Sequence, residues 1–210
     1  MKLLAVCIGH PEKLPGKSYK TGINKVATNA SVMIDSEGVV GDAVCNGKYH
    51  GGPEQAVLLE GSLTMDWWSQ QLRRTLSPGT FGENLVIQGL ENGTVSAGDR
   101  FVFANGLELQ ATSARTPCAT LAARLEMPSI VKLYRQAMRP GIYCRVISAG
   151  TARAGEAVEH ARHQGVKVPI PEMLEKFGKR LREEDAERFL AAPIHADMRA
   201  AIMAGKPAKF

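Results

Sequence analysis

Residues 113–121, SARTPCATL, place Cys118 directly after a proline and three residues past Arg115. Thr116 suits the N-cap of a helix and Pro117 suits its first position, which predicts Cys118 in a first helical turn. There the unpaired backbone N–H groups and the positive end of the helix dipole favour a thiolate. Arg115 adds to the same effect. A thiol so activated is both a nucleophile and a soft metal ligand. The competing reading is a small apolar residue on the inner face of the helix, and the local pattern leaves both open.

Two other stretches carry polar groups next to turn residues. In GDAVCNGKYHGGPEQAV (residues 41–57), Lys48 and His50 stand beside Gly51 and Gly52. Adjacent glycines expose backbone N–H groups and let a ligand approach closely, so a phosphate or oxyanion fits there. The string is not a P-loop, and an ordinary polar loop is the alternative. In PGTFGENLVI (residues 78–87), Glu83 and Asn84 stand at the mouth of a strand, where a carboxylate and an amide can meet the donors and acceptors of a heterocycle. A turn in which Asn84 bonds its own backbone is the alternative. EHARH (residues 159–163) holds Glu159, His160 and His163, but this spacing matches no full zinc ligand set. Trp67 and Trp68 are expected to pack on a helix face and its rim.

The elements that must position these groups are mostly short strands. KLLAVCI, SVMID, QAVLLE, NLVIQGL, RFVFANG, LELQATS, IYCRVIS and EAVEH are strand-length runs bounded by turn residues. Asn105-Gly106 marks a hairpin between two of them. Few helices intervene, which argues for a barrel or closed sheet over βαβ units. Helices are expected over residues 61–76, from 116 to about 127, and from 128 to a stop at Pro140. Beyond residue 163 the composition becomes charged and helical. Three short helices are expected near 171–178, 183–191 and 195–203, packing together or against the barrel. The chain therefore divides into a main domain, residues 1–163, and a helical extension, residues 164–210.

The 210 residues are 44% hydrophobic and 22% charged, ordinary for a globular protein, and no apolar run is long enough to span a membrane. The N-terminal apolar run stops at His10 without a cleavage site, so it reads as a strand and the protein as cytoplasmic. Cys7, Cys45, Cys118 and Cys144 are scattered, which indicates neither a disulfide framework nor a zinc knuckle. The net charge of +5 favours an anionic partner such as a phosphorylated cofactor. With 6% aromatics and no basic-aromatic interleaving, a nucleic-acid surface is the weaker reading.

Taken in order, TGINK (21–25), GVVGD (38–42), HGGPEQAV (50–57), PGTFGENL (78–85), AGDRF (97–101), RTPC (115–118) and GIYCRVISAGTARAG (141–155) resemble the MOSC domain, found at the C-terminus of molybdenum cofactor sulfurases and as stand-alone bacterial proteins. The tail resembles the three-helix extension of the YiiM-like subgroup, linked to resistance to 6-hydroxylaminopurine. The resemblance implies an α+β fold of mainly β character, a barrel with peripheral helices followed by a helical extension. It implies binding of the molybdenum cofactor, molybdopterin with its dithiolene and phosphate.

In relatives such as the mitochondrial amidoxime reducing component, the cysteine matching Cys118 ligates molybdenum, which marks Cys118 as metal ligand and catalytic residue here. Asn84 and Thr116 fall at cofactor-contact positions. Lys48, His50, Gly51, Gly52, Glu83 and Arg115 complete the expected cofactor-binding set. Pro117 replaces the basic residue that precedes the cysteine in the amidoxime-reducing relatives, so their phosphate and substrate contacts do not transfer.

The function implied is reduction of N-hydroxylated bases or amines. The sequence holds no Rossmann fingerprint and no iron–sulfur cysteine cluster, so a reductase or other electron-donor protein is expected as partner. A sulfur carrier bearing a persulfide on Cys118 is the alternative. Sulfurases carry a pyridoxal-phosphate domain ahead of this one, for which the sequence has no room, so a cysteine desulfurase is not expected.

Overall fold

A computed structural model describes residues 1–47 and 50–210. The described residues form thirteen strands: β1 (Leu3–Gly9), β2 (Glu12–Lys13), β3 (Lys20–Thr21), β4 (Lys25–Thr28), β5 (Val32–Asp35), β6 (Gly38–Val39), β7 (Val57–Gly61), β8 (Leu85–Ile87), β9 (Arg100–Phe103), β10 (Glu108–Ala114), β11 (Ile142–Ser148), β12 (Gly150–Ala152) and β13 (Val158–Ala161). Six helices accompany them: α1 (Ser62–Leu72), α2 (Ala119–Arg124), α3 (Ile130–Ala137), α4 (Ile170–Lys176), α5 (Glu183–Ala191) and α6 (Ala196–Met203).

The main sheet has eight strands in the order β13-β9-β10-β11-β7-β8-β1-β4. Every neighbouring pair is antiparallel except β7 and β8, which are parallel. That parallel pair, joined through α1, is a βαβ crossover that the short-strand pattern did not predict. The sheet curls until its β13 edge meets the start of β1: Lys2 bridges Ala157, and Leu3 N–H bonds Glu156 O at 2.9 Å. The expected barrel is thus a curled sheet tied to β1 at the Lys2–Ala157 bridge, with β4 paired to the second half of β1. Asn105-Gly106 makes the β9–β10 turn, with Gly106 at φ +93° and its N–H on Phe103 O at 3.0 Å.

The interior of the curl is filled by Leu59, Leu85, Phe101, Leu109 and Ile142, all fully buried. Each such side chain contributes about 1.5–3 kcal/mol relative to exposure. Helix α1 lays Trp68 into this core, stacked on Tyr134 of α3 at 5.6 Å, while Trp67 meets Trp68 edge-on at the rim. Leu63, four residues before Trp67, is 47% exposed. α1 stops at Leu72 because Arg73 turns left-handed, four residues before the expected end.

The tail joins the same core. Val168, Ile170, Met173, Phe189 and Met198 belong to one continuous apolar cluster with the sheet residues. Asp99 latches the handover. It accepts from the His160 ring at 2.8 Å and from His163 N–H at 2.9 Å, with Arg162 beside it. The EHARH string therefore serves as a clasp, with Glu159 left exposed. No described helix is long and apolar enough to cross a membrane.

Candidate functional site

A cavity of about 320 Å³ opens where five segments converge over the β7–β11 strand pair. Leu58 and Tyr143, cross-strand partners on β7 and β11, line its base. The segment before β4 supplies Gly22, β4 itself supplies its first residue, Lys25, the loop after β6 supplies Asp42 and Cys45, and the turn before β8 supplies Phe81 and Asn84. The glycine-rich stretch supplies His50, Gly51 and Gln55, and the β10–α2 junction supplies Arg115, Cys118 and Thr120. Gly22 allows this convergence: a Cβ there would stand 2.1 Å from Ala43 O.

Cys118 reaches the cavity from a different position than its sequence suggests. The first helical hydrogen bond runs from Ala122 N–H to Cys118 O at 3.1 Å, so Cys118 is itself the N-cap, with extended backbone, and α2 starts at Ala119. Thr116 is not the cap. The β10–β11 ladder explains the shift: Arg115 N–H still bonds Gly141 O at 2.8 Å, and the residue before Pro117 is sterically held extended. The thiol is half-buried, one side against the apolar core and the other on the cavity.

Arg115 stands beside it, 5% exposed. Among the described residues its guanidinium forms no ion pair, and one of its terminal nitrogens is buried without a hydrogen-bond partner. Its Cζ lies 5.7 Å from the centre of the Tyr134 ring. Burial works against this charge, but Tyr134, Tyr143, Cys118 and Glu60 around it more than offset that and raise the pKa. A buried cation with a free donor is costly unless an anion completes it.

The opposite wall is a polar network. Lys25 and Asp42 form a buried ion pair. Asp42 also accepts from Gly9 N–H at 2.7 Å and from the Asn84 amide at 2.9 Å. Burial lowers the Lys25 pKa, and Asp42 opposes that shift. Asn84 bonds neither its own backbone nor a turn. Its Oδ1 accepts from Leu58 N–H at 3.1 Å and its Nδ2 reaches Cys7 O at 3.4 Å, so it ties β7 to β1 at the cavity edge.

His50 sits at the rim with Nδ1 3.4 Å from the Tyr143 hydroxyl. Desolvation, then the charges of Arg115 and Lys25, lower its pKa. Gly51 and Gly52 both take left-handed backbone, φ +80° and +77°. Gly51 faces the cavity, whereas Gly52 caps the short 3₁₀ turn Pro53–Gln55 behind it. Lys48 lies outside the described residues.

Glu83 and Thr116 are not on the cavity lining. Glu83 is fully buried, and its carboxylate accepts from Gly79 N–H at 2.6 Å and Phe81 N–H at 2.9 Å, bracing the turn that presents Asn84. The structure thus gathers Cys118, Arg115, Asn84, His50 and Gly51. It adds Lys25, Asp42, Tyr143 and Gln55, to which the sequence reading gave no role. Lys25 and Asp42 end the TGINK and GVVGD strings, but only the tertiary fold joins them. Across the mouth, the Tyr19 hydroxyl bonds Thr120 Oγ1 at 3.0 Å.

Residues 46–159 match the model of the MOSC domain. The uncharacterized protein YflK of Bacillus subtilis is 31% identical over 193 residues, covering 90% of this chain and 84% of that one. Protein YiiM of Escherichia coli is 28% identical over 71% of this chain and 66% of its own. A reductase of Gibberella moniliformis is 27% identical over 68% of this chain, which spans only 26% of that longer protein. The crystal structure of YiiM from Geobacillus stearothermophilus superposes with a TM-score of 0.78 at 21% identity, over 97% of this chain and 98% of that one, tail included. On the family match and the YflK relationship together, the chain belongs to the MOSC domain family.

Proposed function

We propose that the cavity binds the molybdenum cofactor with Cys118 as thiolate ligand to the metal. On this reading the loaded protein reduces N-hydroxylated bases or amines, of the 6-hydroxylaminopurine type, with electrons from a partner reductase. The observation that carries the reading is the placement on one cavity of Cys118 and of Arg115, whose Nη1 is buried without a hydrogen-bond partner among the described residues. Its volume falls at the small end of small-molecule sites, about 300–1,000 Å³.

The residues present fit the group. A soft thiolate suits a molybdenum centre. The buried Arg115 charge suits a phosphate. Gln55 offers an amide to a heterocycle, and Asn84, its NH₂ held by Asp42 and Cys7 O, keeps a lone pair on Oδ1. Left-handed Gly51 lets a ligand lie close to the backbone.

When bound, the cofactor supplies the oxygen-removing redox chemistry. The overall change is R–NHOH plus two electrons and two protons to R–NH₂ plus water. Cys118 would anchor the group, Arg115 and Asn84 would orient it, and the apolar Leu58 and Phe81 on the lining would limit water. The Tyr143 hydroxyl and the His50 ring, 3.4 Å apart, would offer exchangeable protons to the two-proton change. The similarity to a Gibberella reductase supports a redox role.

The test is to purify wild type, Cys118→Ser and Arg115→Met from a host competent in cofactor synthesis. Molybdenum and pterin per chain are measured, together with N-hydroxylaminopurine reduction using a supplied reductase. Near-stoichiometric molybdenum that is lost in Cys118→Ser and reduced in Arg115→Met supports the reading. A protein without molybdenum but with cyanide-labile sulfur on Cys118 overturns it in favour of the sulfur carrier.

A further inference from the structure

Gln55 lines the cavity and is 8% exposed. One end of its amide lies 3.4 Å from Nε2 of His195, while its other end, assigned as the oxygen, is buried without a partner among the described residues. His195 belongs to the tail, where it is the N-cap of α6, and its Nδ1 accepts the Asp197 N–H at 3.1 Å.

An imidazole nitrogen that accepts a hydrogen bond carries no proton, so in the neutral ring the proton sits on Nε2. Nε2–H is then a donor and needs an acceptor opposite. On the Gln55 side chain only Oε1 can serve. The two ends of a carboxamide exchange by a half-turn, and the hydrogen-bond network decides between them. The orientation that satisfies His195 puts Oε1 on Nε2–H and makes the NH₂ the unpartnered end.

We infer that Gln55 is a ligand-recognition residue of the cavity, presenting N–H donors to a carbonyl or ring-nitrogen acceptor of the bound heterocycle. His195 is a positioning residue that fixes this polarity from the tail. The ligand's identity rests on the cofactor reading above.

The tail is held firmly enough for this role. His195 N–H bonds Thr112 O at 3.0 Å, and Glu54, next to Gln55, accepts from Ala196 N–H at 2.9 Å and pairs with Arg145 at 3.0 Å. Burial lowers the His195 pKa, Glu54 and Asp197 oppose the shift, and Arg145 adds to it. The glycine-rich stretch of the main domain and α6 of the tail thus share one hydrogen-bonded unit.

Two measurements on the full chain test this. Long-range ¹H–¹⁵N correlation of the His195 ring near pH 7, assigned against His195→Asn, is expected to show a protonated Nε2 and a bare Nδ1. A proton on Nδ1 overturns the inference. The second readout is the rate of pterin loss from protein made in a cofactor-competent host. Gln55→Leu and Gln55→Glu are expected to lose pterin about tenfold faster than wild type. His195→Asn keeps a good N-cap but removes Nε2, so it should speed the loss by a smaller factor. Variants that melt at lower temperature yet lose pterin at the wild-type rate make Gln55 a structural brace and overturn the inference. A wild type that holds no pterin overturns the cofactor reading itself, and the assignment of this ligand with it.

Discussion

Replacing Asp42 with Asn should be among the costliest single changes on the cavity wall. The Lys25 and Asp42 side chains are 9% and 7% exposed, so water screens the pair little. Asp42 serves three donors: Lys25, Gly9 N–H and the Asn84 amide. Asparagine keeps one acceptor oxygen and turns its NH₂ toward other donors, leaving the Lys25 ammonium buried without its counter-ion. Breaking such a pair from one side costs about 3–5 kcal/mol. Lys25→Met strands the carboxylate instead, though Gly9 and Asn84 still donate to it, so its cost should fall at the lower end of that range.

The double variant removes both charges and should cost about 2–3 kcal/mol less than the sum of the singles. The assay is urea unfolding of all four proteins, with the denaturant slope required to stay constant. Additivity within about 0.5 kcal/mol would refute the claim that the two charges hold each other in the wall.

Other consequences follow from the burial of single groups. Burial raises the Glu83 carboxyl from 4.5 to about 7, despite the N–H bonds from Gly79 and Phe81. The folded state therefore holds this proton more tightly, and the stability Glu83 contributes is fully present below pH 4.5 and lost as pH rises through about 7. The loss is at most about 3 kcal/mol. Unfolding free energies measured across that window should decline less in Glu83→Gln than in wild type, and an unchanged slope would place the effect elsewhere. Among the four thiols, burial pushes Cys7 up to about 12 and raises Cys144 as well, whereas Cys45 is exposed and Cys118 half-buried on the cavity. A thiol-reactive disulfide reagent should label Cys45 and Cys118 in the native protein, and Cys7 and Cys144 only after unfolding. Mass spectrometry of the labelled peptides checks this, and native labelling of Cys144 would contradict the placement of β11.

What was legible in the sequence was whatever is local. The runs that became β1, β5, β7 to β11 and β13 announced themselves by composition and bounding turns, and α5 matched its expected span of 183–191. The strands β2, β3, β4, β6 and β12, each with at most one large apolar residue, did not, and they take their pairing from neighbours such as β1 and β5. In the site, Cys118, Arg115 and Asn84 were visible through their motifs. Yet the start of α2 was misplaced by two residues, because a ladder bond from Arg115 to Gly141 outweighs a good local cap. Glu83 looked like a ligand contact and is a turn brace, since its two backbone donors come from residues two and four positions back. Lys25 with Asp42, and Gln55 with His195, lie 17 and 140 residues apart, so no local pattern brings them together.

Ligation of a cofactor metal by Cys118 Sγ in this cavity, as proposed, is read most directly by X-ray absorption at the molybdenum edge on wild type and Cys118→Ser purified from a cofactor-competent host. One more sulfur neighbour to molybdenum is expected in the wild type than in whatever loaded Cys118→Ser protein can be recovered. Identical sulfur shells at equal molybdenum content in the two proteins would contradict it.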